Sequence, residues 1–202
     1  MTCPRLSHPL LVLFLVAGLL PAMPRAHAQV VISDTAAPAA AHTLLGWFGR
    51  HIPARFQARE RFVVTPLNDR DMDSYLAAQD TDEGDSPSNS HADDGGIDGI
   101  FEDDPPRITL RLPAGAAPDV ATFAHEYGHY VWFHRLSKDD RSAYEGIYKH
   151  QKDAHRLITP YAKTNVEEGF AEAFSAYVNT PSALQKRDPL SAGFLRTWHA
   201  AP

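Results

Sequence analysis

Residues 123–133, near the middle of the chain, combine an apolar segment with three titratable side chains. The segment reads FAHEYGHYVWF, and His125, Glu126 and His129 interrupt a run that is otherwise suited to the protein interior. An unpaired buried charge is costly, and proteins bury such groups together with a partner or a metal ion. The segment therefore predicts a buried helix whose three polar groups share one partner.

The two histidines have the spacing of the HExxH pattern. Residues four apart lie on one face of a helix, so His125 and His129 can direct imidazole nitrogens at one metal ion about 2 Å away. Glu126 lies about 100° round the helix, where it can accept a proton from a water molecule on that ion. The pattern predicts one zinc ion per chain, with Glu126 as general base. Gly128 weakens the helix by about 1 kcal/mol, which makes sense if another backbone approaches it closely.

A catalytic zinc site needs three protein ligands and one open position, and residues 165–178 offer the third ligand. They read NVEEGFAEAFSAYV, without lysine or arginine. Glu168 and Glu172 lie four residues apart among small residues, which allow a second helix to approach, and opposite an aromatic stripe. We expect Glu168 to be the third ligand and Glu172 to hydrogen-bond the free nitrogen of a ligand histidine. Glu167 is the competing candidate for the third ligand.

Two features of residues 123–178 resemble a known group of enzymes. An HExxH helix followed by a distal glutamate, with a second glutamate four residues later, resembles the gluzincin zinc metallopeptidases. More narrowly, YAKTN at 161–165 followed by EGFAEAF at 168–174 is similar to the catalytic domain of the anthrax lethal factor family. In that family a tyrosine lies seven residues before the ligand glutamate, which is the spacing of Tyr161 and Glu168.

The resemblance implies a zincin-like fold and zinc-dependent hydrolysis of peptide bonds. It implies that Tyr161 stabilises the oxyanion, and it gives the HExxH residues and Glu168 the roles argued above. Gly169 departs from the family, which often has an aromatic residue at this position, so the local pocket is expected to differ.

The other sequence patterns predict an α+β fold with a single domain over residues 42–202. Strand patterns occur at 61–67, 97–101 and 107–112, the last two as a hairpin, and helical patterns occur at 42–51, 119–136, 137–157, 165–178 and 189–199, with a helical turn or short helix at 69–78. We expect a small twisted sheet packed on the HExxH helix and the Glu-bearing helix.

Residues 107–112 alternate apolar and polar positions, and we expect Thr109 and Arg111 to lie on an edge strand that pairs with an extended substrate.

Residues 1–28 have the features of a secretory signal peptide. A basic residue precedes an apolar run at 10–20 that is too short to span a bilayer, and Ala26-His27-Ala28 fits signal peptidase. We expect cleavage after Ala28, export to the periplasm or the exterior, no stable membrane insertion afterwards, and a flexible segment at 29–41. Cys3, the one cysteine, leaves with the signal, so the mature chain has neither disulfides nor thiolate ligands.

The charged residues of the chain are mainly acidic. The full sequence has a formal net charge of −6, and Arg5 and Arg25 leave with the signal, which argues against nucleic acid as a partner. Residues 79–96 read QDTDEGDSPSNSHADDGG and predict a mobile acidic loop. A calcium site there is the alternative to a solvated loop, although the spacing does not fit the helix–loop–helix calcium pattern.

These observations predict an exported zinc metallopeptidase acting on a peptide or protein. One alternative is a non-catalytic binding module in which the metal only holds two helices together. Glu126 and Tyr161 argue against it, because a structural site needs neither. A second alternative is a zinc hydrolase that acts on a non-peptide bond, such as one in cell-wall glycopeptide.

Overall fold

The computed structural model of the protein describes residues 30–32, 38–79, 88–90 and 97–199. It confirms the α+β prediction: the described part contains a five-stranded mixed sheet and seven α-helices. The strands are β1 (Val30–Ile32), β2 (Phe62–Leu67), β3 (Ser88–Ser90), β4 (Gly99–Glu102) and β5 (Arg107–Arg111). The helices are α1 (Pro38–His51), α2 (Asp69–Gln79), α3 (Val120–Tyr130), α4 (Lys138–Asp153), α5 (Val166–Asn179), α6 (Pro181–Arg187) and α7 (Pro189–Thr197).

The strands lie in the order β1-β2-β5-β4-β3. β1, β2 and β5 run parallel to one another, while β4 is antiparallel to β5 and β3 is antiparallel to β4. The predicted hairpin of β4 and β5 is confirmed, with Phe101 opposite Ile108 and Gly99 opposite Leu110.

The expected edge position of Thr109 and Arg111 needs correction. Their strand, β5, lies between β2 and β4, so its peptide groups are paired on both sides and cannot take up an added strand. Thr109 is buried, and Arg111 forms ion pairs with Asp73 at 2.9 Å and with Asp98 at 3.4 Å. The alternating pattern predicted a half-buried strand, but Ile108, Thr109 and Leu110 are all buried, and the pattern carried no information about the neighbouring strands.

The hydrophobic core lies between the sheet and the helices α3 and α5. Helix α3 contacts β4 and β5 on one side and α5 on the other. Aromatic side chains dominate the largest fully buried residues of the described part, which are Tyr127, Tyr130, Tyr144, Phe56, Phe62, Phe123, Phe170, Phe174, Met72, Ile100, Ile108 and Leu184.

Helix α3 is fixed at both ends by polar contacts. At its start, Asp119 accepts a hydrogen bond from the backbone N–H of Ala121 at 2.8 Å, as an N-cap does. The hydroxyl of Tyr127 donates to the carbonyl of Phe56 at 3.1 Å, and the hydroxyl of Tyr130 donates to Glu60 at 3.0 Å. These bonds, added to the burial of the aromatic rings, give the helix one fixed orientation.

The helix boundaries differ from the sequence prediction in two places. The predicted helix 119–136 is α-helical only to Tyr130 and continues as a π-helix over Val131–Arg135. The next helix starts as expected at the capping box of Ser137 and Asp140 but ends at Asp153, because Ala154 and His155 leave the helical conformation.

Three short elements, β1, β3 and α6, lie where the sequence analysis expected none; β3 lies within the stretch predicted as a mobile loop and pairs with β4. The segment 29–41 was expected to be flexible but contains β1, which pairs in register with β2, and the start of α1. Helix α6 begins at Pro181, which had been interpreted only as the end of the preceding helix; proline is favoured in the first turn of a helix because it has no N–H to leave unpaired.

No helix in the described part of the chain is long and apolar enough to cross a membrane.

Candidate metal centre

The pairing of α3 with α5 brings the candidate site residues together. The hydroxyl of Ser175 donates to the carbonyl of Ala121 at 3.0 Å, while His129, further along α3, lies near Glu168, earlier on α5. The two helices are therefore antiparallel. Their backbones approach closely at Gly128, where an added Cβ would lie 2.8 Å from the Cα of Ala171. The helical glycine is thus explained by the close approach of a second backbone.

His125, His129 and Glu168 converge on one point. The Nε2 atoms of the two histidines are 3.2 Å apart, and they lie 3.1 Å and 3.4 Å from Oε2 of Glu168. Four ligands placed tetrahedrally about 2 Å from an ion lie about 3.3 Å from one another. The three atoms therefore fit three corners of such a tetrahedron, and these residues could hold a metal ion.

The chemistry of these donors also fits a divalent ion. All three side chains are buried. The pKa of Glu168 is lowered to about 2, because the hydrogen bonds with His125 and His129 outweigh the effect of burial, which alone would raise it. Burial lowers the pKa of His129, which favours the neutral imidazole that a metal ligand must present. An ionised carboxylate and imidazoles are the donors that zinc commonly takes in catalytic sites.

Glu172 lies on the other side of His125. Its Oε1 is 2.7 Å from Nδ1 of His125, one helical turn beyond Glu168. Burial lowers the pKa of His125, but the hydrogen bonds to Glu168 and Glu172 outweigh it and raise the pKa to about 9. A carboxylate that accepts from Nδ1–H fixes the tautomer in which Nε2 is free to bind a metal ion.

Glu126 is enclosed between α3 and β4 and is completely buried. Within the described part, neither of its carboxylate oxygens has a hydrogen bond of normal geometry. Burial raises its pKa to about 8, although the charge of His125 and the backbone amide of Phe101 oppose this effect. A carboxyl group with a pKa near neutrality is suited to accepting and returning a proton.

Tyr161 lies near His125, in a 3₁₀ turn at Tyr161–Lys163. Its ring centroid is 6.0 Å from that of His125, and the side chain is only partly buried. Burial and the negative charges of Glu168 and Glu126 raise its pKa, so the hydroxyl keeps its proton and can donate a hydrogen bond.

The space beside Gly169 is filled by a side chain from another helix. An added Cβ at Gly169 would lie 2.5 Å from the ring of Tyr148 on α4. The hydroxyl of Tyr148 donates to the carbonyl of Lys163 at 3.2 Å, and Nζ of Lys152 donates to the same carbonyl at 2.8 Å. The ring of Tyr148 therefore fills the space beside Gly169, and its hydroxyl supports the turn that carries Tyr161.

Glu167 points away from the ligand cluster. It is half-buried, its carboxyl lies beside the indole of Trp132, and burial followed by the charge of Glu168 raises its pKa. His134, past the end of α3, lies 2.7 Å from Asp103 and stacks on Tyr130. Neither residue belongs to the group that could hold a metal ion.

Gly99 is a residue at this site that the sequence analysis did not identify. It lies on β4, directly against Glu126 and Thr122. Its signal in the sequence was an isolated glycine within a strand pattern, which often marks the close approach of another group.

Two predictions fall on residues that the structure does not describe. The signal peptide at 1–28 lies outside the described residues, and so does most of the acidic stretch 79–96, apart from Gln79 and β3. The calcium alternative for this stretch therefore stays a prediction.

No protein-family model matches the sequence, and no curated protein matches it in sequence. Solved structures do match the fold. One of them is the Pro-Pro endopeptidase PPEP-2 from Paenibacillus alvei, with 16% sequence identity and a TM-score of 0.50; the match covers 83% of this chain and 95% of that chain. The likeness shows that this chain shares the fold of that structure, without singling out the lethal factor family that the sequence resembles.

Proposed function

We propose that the protein is a zinc-dependent endopeptidase. The observation that carries the proposal is a buried group of two histidines and a glutamate that could hold a metal ion, beside a fourth buried side chain, Glu126, that is suited to proton transfer. The fold it shares with an endopeptidase of known structure supports the proposal.

The roles of the side chains follow from their positions. An ion held by His125, His129 and Glu168 would polarise the scissile carbonyl and lower the pKa of a water molecule. Glu126 accepts a proton from the attacking water and returns it to the leaving amine. Tyr161 donates a hydrogen bond to the oxyanion that develops as the carbonyl is attacked. Glu172 keeps His125 in the required tautomer.

The purified mature protein is expected to contain one zinc ion per chain and to lose both zinc and activity to a chelator. Zinc affinity should fall as the pH falls, because ligand histidines must be neutral to bind. Near neutral pH the metal-free protein holds a proton on His125, whose pKa is raised to about 9, so zinc binding should release protons.

This prediction is checked by elemental analysis and by calorimetric zinc titration in buffers of different ionisation enthalpy. Peptide cleavage should be assayed in parallel with a library that includes consecutive prolines, since the structural neighbour is named a Pro-Pro endopeptidase. Activity that persists in protein shown to be free of metal would refute the proposed function.

Replacing Tyr161 with Phe is expected to lower kcat by about 10²-fold or more, the typical loss on removing one oxyanion donor. The phenyl ring keeps the packing against His125, so zinc content and Tm should stay unchanged. kcat and kcat/KM should fall together, because the hydrogen bond forms only in the transition state. Tyr161→Ala, which also removes the ring, is the comparison: a role in packing alone predicts a fully active Phe variant and an unstable Ala variant.

The same assays separate the proposal from its two alternatives. A metal-stabilised binding module predicts bound zinc without hydrolysis of any peptide. A hydrolase of non-peptide bonds predicts turnover of cell-wall glycopeptide but not of the peptide library. Export is part of the proposal and is supported by the signal pattern at 1–28; sequencing the N-terminus of the mature protein, expected at Gln29, tests it.

A further inference from the structure

Strand β4 passes so close to Glu126 that only glycine fits at position 99. A Cβ built on Gly99 would lie 2.7 Å from Oε1 of Glu126, 2.9 Å from its Cγ, and 2.7 Å from Cγ2 of Thr122. Real Cβ atoms essentially never approach other heavy atoms to less than 3.0 Å. Any side chain at position 99 must therefore displace one of its neighbours.

The backbones on both sides of this contact are firmly held. On the sheet side, Gly99 is paired opposite Leu110, and the carbonyl of the preceding Asp98 accepts from the N–H of Arg111 at 2.8 Å. On the helix side, the hydroxyl of Thr122 donates at 2.8 Å to Asp119, the residue that caps α3. The side chain of Glu126 is the part that can rotate.

Packing contributes more than hydrogen bonding to the position of the Glu126 carboxylate. The side chain is completely buried, and within the described residues neither oxygen makes a hydrogen bond of normal geometry. A side chain at position 99 would occupy space that this carboxylate fills. A side chain held mainly by packing moves when the space around it changes.

We propose that Gly99 is a positioning residue for Glu126: the missing side chain creates the space that holds the carboxylate beside the three converging ligand atoms. The inference rests on the proposed function, in which Glu126 must lie within hydrogen-bond distance of the attacking water. Misplacing a reacting group by about 1 Å can lower a rate by about 10², so a single methyl group at position 99 is sufficient to affect turnover.

Replacing Gly99 with Ala is expected to lower kcat by about 10- to 10²-fold, while KM and zinc affinity stay unchanged. The matched control is Gly146→Ala on α4, where an added Cβ meets no heavy atom within 4 Å; it should keep wild-type kcat. A wild-type kcat for the Gly99 variant, or a loss of zinc that parallels its loss of activity, would overturn the proposal.

Two further backgrounds distinguish positioning from a general packing defect. Thr122→Ser removes the methyl group that the new Cβ would strike but keeps the hydroxyl that bonds Asp119. Gly99→Ala in this background should therefore regain only the part of the stability lost to that methyl group, and should still lose kcat. Glu126→Asp shortens the carboxylate side chain, so adding Gly99→Ala to it should change kcat little. The effects of substitutions at positions 99 and 126 should thus be non-additive. Additive effects on kcat would contradict the proposal.

A readout without turnover separates this inference from the proposed function. In metal-free protein carrying Thr122→Ser, Gly99→Ala should lower Tm when Glu126 is present and should not lower it when Glu126 is replaced by Ala. Equal losses of Tm in the two cases would refute the contact itself. Wild-type protein that cleaves no substrate would instead refute the proposed function, and coupling in Tm would then show that Gly99 still holds Glu126 in place.

Discussion

The Glu126→Gln variant is expected to keep its fold and its zinc but to lower kcat by roughly 10²–10⁴, the usual contribution of a positioned general base. Gln has nearly the same shape as Glu and fills the same space beside Gly99. It cannot accept the proton of an attacking water. Because the step that fails is chemical, KM should change much less than kcat.

The same variant gives a second readout that needs no substrate. Burial raises the pKa of Glu126 from 4.5 to about 8, so between these values the folded metal-free protein holds a proton that the unfolded chain has lost. The contribution of this carboxyl to stability is therefore greatest below pH 4.5 and falls as the pH rises towards 8. Gln has no such proton, so relative to wild type the metal-free variant should gain stability as the pH rises through this range.

The predictions for turnover and for stability can each be contradicted by a specific measurement. Kinetics and zinc analysis of purified Glu126→Gln, with Tyr161→Phe measured in parallel, test the role in turnover. Near-normal turnover would mean that a different group accepts the proton. Unfolding curves of the two metal-free proteins across the pH range test the electrostatics, and parallel curves would mean that Glu126 is not buried as the structure has it.

The sequence predicted those parts of the site that depend on regular helix geometry. His125 and His129 share a face because they are four residues apart, and Glu168 and Glu172 share a face for the same reason. The segment around Glu168 also lacked the basic partners that an exposed acidic helix normally carries. The periodicity of a helix is local, so these relations could be derived before the fold was known.

The parts that were missed depend on which elements become neighbours. The alternation in residues 107–112 identified the strand but could not show that β2 and β4 flank it on both sides. β1 has only three residues, and its strand conformation depends on pairing with β2. The significance of Gly99 likewise appears only when β4 is placed against α3, because the residue it accommodates is 27 positions away in sequence.

The second large effect is a loss of zinc affinity, expected when the third ligand, Glu168, is replaced. Glu168→Gln should lower zinc affinity by more than the 10–100-fold that is typical for loss of an outer hydrogen-bonding partner, because an ionised oxygen that faces both imidazoles is replaced by a neutral amide. In the structure this oxygen lies 3.1 Å and 3.4 Å from Nε2 of His125 and His129. The variant prepared without added zinc should be inactive.

Glu167→Gln is the matched control for this change. It is the same substitution one position earlier on α5, at another half-buried carboxyl whose pKa is raised by burial and by the charge of Glu168. Its side chain lies beside Trp132 rather than among the ligand atoms, so zinc affinity should stay at the wild-type value. Any difference between the two variants therefore reports the direction of the side chain and not the loss of a negative charge from this helix.

The zinc affinity of Glu172→Gln should lie between those of Glu167→Gln and Glu168→Gln, and measuring it completes the test. Glu172 contacts His125 at Nδ1, the nitrogen that does not face the ligand cluster, so its loss should weaken zinc binding by about 10–100-fold without removing a ligand. Competition titrations against a zinc chelator should therefore give affinities in the order Glu167→Gln, Glu172→Gln, Glu168→Gln, from tightest to weakest. An affinity for Glu168→Gln equal to that of wild type, with the loss found in Glu167→Gln instead, would require α5 to be rotated by about 100° about its axis, and the ligand and the control would exchange roles.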